Sequence, residues 1–387
     1  MQPLRLLFIT SLVPSYGSMT GYEVANAAII NGLQRAGCQI TILGFNWPGR
    51  VPSMPDNTIL LGEVDVRTQD AGFTQKIKWI LQAVCTGLTV SSVKLRVTSD
   101  QNLQKAIVSA GEFDAYILNG VALAGAFEHH FKDKPSIFIA HNVEHYSAAE
   151  NAASVKDFIQ NILFKREARL LEKLEKRLCD QAKFVFTLAD EDGGMLGLEP
   201  SKFSTLPLVT TDHPPEPVTR DLQYDLALIG TWTWQPNRIG LEWFLREVKP
   251  LLKPDIKIAI AGSAPTDLID AWRDVEFLGR IPDAVSFVES AAVIPLISVA
   301  GTGVQLKTIE TFELGMPCVA THHSVRGIAK IPENCVLTDE PVAFAAALEA
   351  QVARARNGER GRIDGQTFYQ QQLAGMDQAM KQGLVVL

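Results

Sequence analysis

Short apolar runs alternate with segments of helical periodicity along most of the chain. The run at residues 6–10 predicts a strand that is buried on both faces, because every position in it but the last is apolar. From Gly21 to Gly37 apolar side chains recur every three or four residues, which predicts a helix. Further strands are predicted at 40–45, 115–118, 136–140 and 183–188, with a long amphipathic helix at 155–179.

The same alternation restarts beyond a proline-dense segment at 207–217, which is typical of an interdomain linker. Two successive series of alternating strands and helices predict an α/β protein with two doubly wound, Rossmann-like parallel sheets. We expect an N-terminal domain over 1–206, a linker over 207–222, a second domain over 223–365, and a helical tail over 366–387 that packs back on the first domain. In the second half, strands are predicted at 225–229, 256–261, 275–278, 292–297 and 318–321, and helices at 238–252, 283–290, 304–314 and 341–356.

Composition narrows the class of protein. The 387 residues include 36 Lys and Arg against 43 Asp and Glu, so the net charge of −7 argues against nucleic acid as a partner. Hydrophobic residues make up 47%, which is typical of a folded globular chain. The five cysteines are scattered without C-x-x-C spacing, which fits neither a disulfide framework nor a zinc site. This cysteine usage fits a reducing cytosol, so we expect a cytoplasmic protein. No apolar run is long enough to predict a transmembrane helix.

Ligands of parallel α/β domains bind beyond the carboxyl ends of the strands, so the loops there are informative. The first such loop, 14–21, lacks the G-x-G-x-x-G pattern of dinucleotide sites, and the second strand ends Phe45-Asn46-Trp47 without an acidic residue for a ribose. The phosphate loop G-x-x-x-x-G-K-[ST] is also missing from the sequence. A nicotinamide dehydrogenase and a P-loop enzyme are therefore disfavoured.

The segment from Pro295 to Glu310 carries the most chemistry. An apolar strand runs into Gly301-Thr302-Gly303 and then directly into a helix, an arrangement that offers backbone N–H groups and a positive helix end to a phosphate. Lys307 adds a positive charge one turn into that helix, and Glu310 is placed to accept hydrogen bonds from ribose hydroxyls. A tight strand-to-helix turn with a solvated Lys/Glu pair is the structural alternative.

The motifs of the second half resemble those of GT-B glycosyltransferases, most of all the retaining family 4. The resemblance rests on segments that occur in the order of that family, namely 226–237, 240–244, 261–262, 277–283, 295–310, 315–321 and 327–328. The N-terminal half matches more loosely, through the first strand, the glycine-bearing loop and the segment around His141. The resemblance implies a GT-B fold in which the two Rossmann-like domains face each other across a cleft.

The resemblance also implies a substrate and a set of site residues. The donor would be a nucleoside-diphosphate sugar and the acceptor a carbohydrate or a lipid-linked molecule, with retention of anomeric configuration and with no cofactor or metal ion. Lys307 and Glu310 would act on the diphosphate and the ribose, and His141, which follows the strand at 136–140, would contact the reacting sugar or the acceptor; without the resemblance a hydrogen-bonded structural histidine is favoured there. The implied donor-binding residues are Gly21, Gly230, Thr231, Trp234, Asn237, Gly301, Thr302, Gly303, Val304 and Gln305.

One position departs from the family pattern. Many members carry two glutamates eight positions apart, and here the earlier position is Thr302, so that only Glu310 is present. Two alternatives therefore stay open: a catalytically silent accessory subunit of the same fold, and a nucleotide-sugar 2-epimerase, which would need more acidic residues for proton abstraction.

Two other features call for an interpretation. Asp190-Glu191-Asp192 has the spacing of metal-binding D-x-D motifs, but it falls where a helix begins, and capping of N–H groups is the favoured role. Residues 71–99 contain Lys76, Lys78, Lys94 and Arg96, several large apolar side chains and no acid. Such a segment predicts docking on an anionic membrane surface, hence a peripheral position on the inner face of the membrane; a solvated helix face over a buried stripe is the alternative.

Overall fold

The computed structural model describes residues 3–17, 20–68, 71–155, 157–216 and 220–387. The chain divides into two compact units, one formed by Met1–Leu208 with Ala374–Leu387 and the other by Val209–Leu373. The division at 208/209 falls inside the segment predicted as a linker. Ser18 and Met19 of the first predicted loop, Lys156 of the long predicted helix and 217–219 of the predicted linker lie outside the described residues.

The first unit contains a parallel sheet of seven strands in the order β3-β2-β1-β4-β5-β6-β7. The chain builds outward from β1 in one direction, then returns to β1 and builds in the other, as predicted for a doubly wound sheet. Its central strands are buried, which explains their apolar sequences. The strands are β1 (Arg5–Leu12), β2 (Gln39–Asn46), β3 (Thr58–Glu63), β4 (Ala115–Asn119), β5 (Ser136–Ala140), β6 (Phe184–Thr187) and β7 (Phe203–Thr205).

The long amphipathic helix expected at 155–179 is present as the single helix Phe158–Gln181. It begins where the Asp157 carboxylate accepts a hydrogen bond from the backbone N–H of Gln160. A separate helix at Glu144–Ser154, which was not predicted, precedes it. The helices are α1 (Gly21–Arg35), α2 (Phe73–Thr86), α3 (Val90–Lys94), α4 (Asp100–Ser109), α5 (Val121–Ala126), α6 (Glu144–Ser154), α7 (Phe158–Gln181) and α8 (Asp190–Met195).

The three acids at 190–192 do not occupy the capping position assigned to them. The N-cap residue of α8 is Ala189, and the acids form the first turn. There they face the positive end of the helix, which is favourable without a capping hydrogen bond.

The second unit contains a parallel sheet of six strands in the order β10-β9-β8-β11-β12-β13. This is again doubly wound, so both predicted sheets are present. The strands are β8 (Tyr224–Ile229), β9 (Ile258–Ala261), β10 (Glu276–Gly279), β11 (Ala291–Leu296), β12 (Cys318–Ala320) and β13 (Cys335–Leu337).

Two helices of the second unit begin elsewhere than predicted. The helix expected at 238–252 begins at Gln235, with Pro236 in its first turn, and passes into a π-helical turn at Phe244–Val248. The helix expected at 304–314 begins at Leu306. The helices are α9 (Gln235–Trp243), α10 (Thr266–Ala271), α11 (Ala284–Glu289), α12 (Leu306–Glu313), α13 (Pro341–Arg356) and α14 (Gln366–Leu384), the last of which ends in the first unit.

The last residues of α14 pack on α1. Arg35 pairs with Asp377 at 3.1 Å, and Gly32 leaves room for the Met376 side chain, because a Cβ at that glycine would come within 2.7 Å of the Met376 methyl carbon. Among the described residues, no helix is both long and apolar enough to cross a bilayer.

Two glycines of the second unit have the same left-handed backbone conformation but differ in how closely other atoms pack around them. Substituting each with alanine therefore separates the cost of packing from the cost of the conformation. Gly315 and Gly279 both have φ of +66°, but a Cβ at Gly315 would lie 1.9 Å from the Ile363 carbonyl oxygen, whereas a Cβ at Gly279 meets nothing within 4 Å. We expect Gly279→Ala to lower the free energy of unfolding by about 1 kcal/mol, the cost of the left-handed conformation. Gly315→Ala should lower it by at least about 3 kcal/mol, because backbone must also move. Equal losses in urea denaturation would contradict the packing described here.

Candidate active site

In each sheet the direction of winding reverses between two neighbouring strands, and polar loops follow both of them. In the first unit these strands are β1 and β4, which end near Thr10 and Asn119. In the second unit they are β8 and β11, followed by Gly230 and by the loop 297–305. Such reversal points form a crevice at the carboxyl edge of a sheet, and most of the predicted site residues fall there.

The loop after β11 has the backbone conformation that its glycines suggested. Gly301 and Gly303 have φ of +100° and +72°, values that side chains rarely tolerate, and the loop then enters α12. Gln305 at the N-cap makes no side-chain capping hydrogen bond, and the first turn closes with bonds from the Thr308 and Ile309 N–H groups to the Gln305 carbonyl. The start of α12 is therefore a place where backbone N–H groups can bind an anion.

This loop is held by a hydrogen-bonded group of hydroxyl side chains. The Ser324 hydroxyl accepts from the Ser298 N–H at 2.8 Å and donates to the Leu296 carbonyl at 2.8 Å, while Thr308 donates to the Ser324 carbonyl at 2.8 Å. Arg326 donates to the Gly301 carbonyl at 2.7 Å and places a positive charge beside the loop. Sequence reasoning missed these residues, although Arg326 directly precedes a quoted glycine motif.

Lys307 lies over an aromatic ring. Its Nζ is 5.3 Å from the centroid of the Trp232 ring, and Trp232 is itself buried and fixed by a hydrogen bond from its Nε1 to the Ala261 carbonyl at 2.8 Å. The surrounding protein lowers the pKa of Lys307 to about 8, against the opposing attraction of Glu310. The side chain thus stays mainly cationic at neutral pH, in a position set by a rigid indole.

Glu310 follows Lys307 by one helical turn. It retains contact with solvent, yet the surrounding protein raises its pKa to about 7, against the opposing effect of Lys307. Glu313, further along α12, is buried, and its pKa is likewise raised to about 7 by burial; it accepts from the Thr210 N–H at 2.9 Å. Of the two, only Glu310 is accessible to a ligand.

Helix α9, which follows the loop after β8, approaches the glycine loop closely. A Cβ at Gly240 would lie 2.3 Å from the Ile297 carbonyl oxygen, and one at Gly301 would lie 3.1 Å from Cβ of Pro236. Asn237 of α9 donates to the Thr231 carbonyl at 3.1 Å in the preceding loop, where Trp234 is 44% exposed. The structure therefore brings together the predicted residues of the second unit: Gly230, Thr231, Trp234, Asn237, Gly301, Thr302, Gly303, Val304, Gln305, Lys307 and Glu310.

Not every one of these side chains is available to a ligand. Thr302 and Gln305 are buried, so they can serve a ligand mainly through their backbone. Thr231 and Trp234 are exposed, and Val304 is half-buried.

The predicted residues of the first unit lie at the carboxyl edge of its own sheet. Gly21 is the first residue of α1 and is exposed, directly after Thr20, which caps the helix by accepting from the Glu23 N–H at 3.3 Å. The buried Glu23 carboxylate accepts from the Ser15 and Thr20 hydroxyls at 2.7 and 2.8 Å. The backbone at Thr20, directly before Gly21, is thus held by a capping network.

His141 is buried and belongs to a polar network. Its Nε2 lies 2.8 Å from Asn119 Oδ1, and its ring packs on Tyr22 with centroids 4.8 Å apart. Tyr22 also bonds to Thr10 and to the Asn119 carbonyl, both at 3.0 Å. Tyr22, Asn26 and Asn119 were not predicted as site residues, although Thr10 and Asn119 are polar residues at strand ends.

The network determines which nitrogen of His141 carries the hydrogen. Asn26 Nδ2 donates to the Leu12 carbonyl at 3.0 Å, so its Oδ1 accepts from Asn119 Nδ2 at 2.7 Å. The Oδ1 of Asn119 must then accept from Nε2–H of His141, which leaves the lone pair on Nδ1. Burial lowers the pKa of His141 to about 4, so the ring is neutral at physiological pH.

This arrangement predicts the titration of two histidines. In an NMR titration His141 should keep a neutral Nε2–H ring until about pH 4, whereas His145, whose pKa is raised by its bond to Glu175, should protonate above its ordinary value. Asn119→Asp should raise the His141 pKa by about one to three units, because a carboxylate then faces Nε2–H. The His145 titration is the control, and an unchanged His141 in Asn119→Asp would show that the proposed hydrogen-bond chain is misassigned.

Comparison with known proteins agrees with this geometry. Residues 223–353 match the family model described as Glycosyl transferases group 1, and no curated protein sequence matches the chain. Similar solved structures include sucrose-phosphate synthase from Thermosynechococcus elongatus, with 13% identity, a TM-score of 0.66 and 98% of each chain covered. Another is HepE from Anabaena in complex with UDP, with 13% identity, a TM-score of 0.59, and 99% of this chain and 100% of that chain covered.

A third similar structure is the catalytic domain of starch synthase IV from Arabidopsis thaliana bound to ADP and acarbose, with 12% identity, a TM-score of 0.57, and 98% of this chain and 95% of that chain covered. These similarities and the family match confirm the resemblance to GT-B glycosyltransferases that was read from the motifs. Residues 223–353 therefore match a glycosyl transferases group 1 domain, and the chain as a whole has the GT-B fold, with two Rossmann-like parallel sheets.

Proposed function

We propose that the protein transfers a sugar from a nucleoside-diphosphate sugar to a carbohydrate or lipid-linked acceptor, with retention of anomeric configuration and without a metal ion in the transfer step. The observation that carries the proposal is the position of Lys307, over Trp232 and one residue into a helix that begins without a side-chain cap. A cation and a helix start together suit the two phosphate groups of such a donor.

The chemistry assigns different tasks to the two charged groups. Cleavage of the sugar–phosphate bond leaves a nucleoside diphosphate, whose growing negative charge Lys307 and the first N–H groups of α12 stabilise. Glu310 accepts hydrogen bonds from the ribose hydroxyls, a role that its accessible carboxylate favours. Neutral His141, with its lone pair on Nδ1, is assigned to the reacting sugar or the acceptor.

Ligands of similar structures support the choice of donor. HepE from Anabaena is described in complex with UDP-glucose as well as UDP, and starch synthase IV with ADP. Thr302 stands where many family members have a glutamate, and this difference favours the alternative of an accessory subunit. Such a subunit would still bind a nucleotide but would not catalyse sugar transfer.

The donor site is tested by binding and by single substitutions. Among UDP, GDP, ADP and their sugars, the natural donor should raise the unfolding temperature by mass action. Lys307→Gln and Glu310→Gln should each weaken its affinity about 10- to 100-fold, the value of a hydrogen bond to a charged group. The matched controls Lys330→Gln and Glu340→Gln remove exposed charges of the same unit and should leave affinity unchanged.

Two outcomes would contradict parts of the proposal. No stabilisation by any of these nucleotides would contradict a nucleotide-sugar enzyme, and wild-type affinity in Lys307→Gln would show that the diphosphate lies elsewhere. If a donor binds without transfer to any acceptor, the accessory-subunit alternative is favoured. The NMR signal of the product's anomeric proton shows whether the configuration is retained. Transfer activity that persists after chelation of metal ions would support a transfer step without a metal.

We further propose that the first unit docks on an anionic membrane surface, which would give access to a lipid-linked acceptor. Helix α2 presents an exposed apolar face, and the first turns of α7 add three more exposed apolar residues. The two helices are joined by a hydrogen bond from Arg166 to the Ala83 carbonyl. This α2–α7 surface consists of Phe73, Ile77, Leu81, Val84, Phe158, Ile159 and Ile162.

The charges that accompany this surface differ from those expected. Lys94 points inward, donates to the Val66 carbonyl at 2.7 Å and lies over Trp79, and burial lowers its pKa to about 8. Arg96 is paired with Asp100 at 2.8 Å. Both therefore have structural roles, whereas Lys76 and Lys78 on α2, with Lys165 and Arg169 on α7, can reach lipid headgroups.

Co-sedimentation with vesicles tests the surface. Binding should require anionic lipid and weaken with salt, and the double variant Phe73→Ser/Leu81→Ser should reduce it by at least tenfold, because each buried apolar side chain contributes about 1.5–3 kcal/mol. Val108→Ser removes a similarly exposed apolar residue from α4 of the same unit and is the control. Equal sedimentation with neutral and anionic vesicles would exclude this docking mode.

A further inference from the structure

The first unit brings together three potential metal ligands that are far apart in the sequence. Asp100 is the first residue of α4, and His129 and His130 lie in the short 3-10 helix Glu128–Phe131 that follows α5. The Nε2 atoms of both histidines are 3.1 Å from the same atom, Asp100 Oδ1, and the three ligand atoms lie within 4.8 Å of one another. Among the residues that the structure describes, these three side chains form the group of histidine, cysteine and acidic residues whose ligand atoms are close enough to bind one metal ion.

The hydrogen bonds of His130 bear on what lies between its Nε2 and Asp100 Oδ1. Its Nδ1 is 3.0 Å from Gln104 Oε1, a carbonyl oxygen that can only accept, so Nδ1 donates this hydrogen bond. Nε2 then faces Asp100 Oδ1, and this contact is favourable only with a proton or a metal ion between the two atoms. A ligating histidine whose other nitrogen donates to an outer oxygen is the usual arrangement at metal sites.

Arg96 favours one kind of cation over another. It donates to Asp100 Oδ2 at 2.8 Å and, more weakly, to Oδ1 at 3.3 Å, and this pair of bonds fixes the orientation of the carboxylate. The positive charge of Arg96 also opposes ions held by charge alone, such as Ca²⁺ and Mg²⁺, which in addition prefer oxygen ligands. Two imidazoles and one carboxylate suit Zn²⁺ or a similar late transition metal.

We propose that Asp100, His129 and His130 form a binding site for one divalent transition-metal ion, with Zn²⁺ the best match. Zinc–ligand bonds of about 2.0–2.2 Å require ligand atoms roughly 3–4 Å apart, so the observed separations need only small rotations, and His129 is exposed enough to make them. Three protein ligands leave a fourth position for water or another ligand. The ion would connect the start of α4 to the segment after α5.

The site is separate from the proposed donor site. None of its three ligands belongs to the residues assigned to the sugar donor, and all of them lie in the first unit. Metal binding here and nucleotide binding at Lys307 can therefore fail independently.

The experiment is a titration of the chelator-stripped full chain with Zn²⁺ against a chromophoric competitor. We expect one ion per chain, at least tenfold weaker binding in His129→Ala and in His130→Ala, and about 10- to 100-fold weaker binding in Gln104→Leu, which removes the outer hydrogen bond of His130. Co²⁺ should show the absorption of imidazole-bound cobalt in the wild type and lose it in His129→Ala.

The matched control is His322→Ala. His322 also pairs with a carboxylate, Asp339, at 2.9 Å, and its side chain is 64% exposed against 65% for His129, but it has no second histidine in the pair. This variant should bind Zn²⁺ within twofold of the wild type. No saturable binding at one equivalent, or binding that His129→Ala leaves unchanged, would overturn the proposal. Because His129 is exposed, its substitution should not impair folding, which circular dichroism of the variant verifies.

Discussion

The candidate donor site depends on a helix that begins without a side-chain cap. Most helix starts need a partner for their first N–H groups, and α1 illustrates the usual solution, with Thr20 as the cap and Glu23 held by two hydroxyls. At α12 the N-cap is Gln305, which makes no such bond. Two glycines with positive φ bring the backbone to this point, and Ser324, Thr308 and Arg326 hold it there. The fold thereby keeps its anion-binding groups in place before any ligand arrives.

The same crowding that positions Lys307 and Glu310 also disfavours their charged forms. Burial lowers the pKa of the lysine and raises that of the glutamate, and each group partly offsets the shift of the other. A bound diphosphate would supply the missing counter-charge for Lys307. Trp232 prevents the lysine from relieving its desolvation by moving, because the indole is packed and hydrogen-bonded to Ala261. Preorganisation of this kind is how electrostatic stabilisation avoids a reorganisation cost.

Much of the fold follows from local signals in the sequence. Apolar runs and helical periodicity were enough to predict both doubly wound sheets, because strands buried on both faces leave an unmistakable pattern. The long helix α7 was predicted to within three residues at each end, but the separate helix α6 directly before it was not predicted. The prediction also missed β3 and β7, the two edge strands of the first sheet, which are only partly buried and so lack that pattern.

The sequence by itself determined the two parallel sheets, the glycine loop before α12 and the choice of Lys307 and Glu310 as candidate donor-site residues. All of these depend on residues that are close together in the chain. Tertiary structure decided everything that joins distant residues. Asn26 and Asn119 fix the tautomer of His141, Trp232 orients Lys307 across 75 positions, and Asp100 meets His129 and His130. It also turned Lys94 inward, to the Val66 carbonyl 28 residues away in the sequence. The physical reason is that hydrogen bonds, stacking and burial act over a few ångströms in space, and only the folded chain defines which residues are that close.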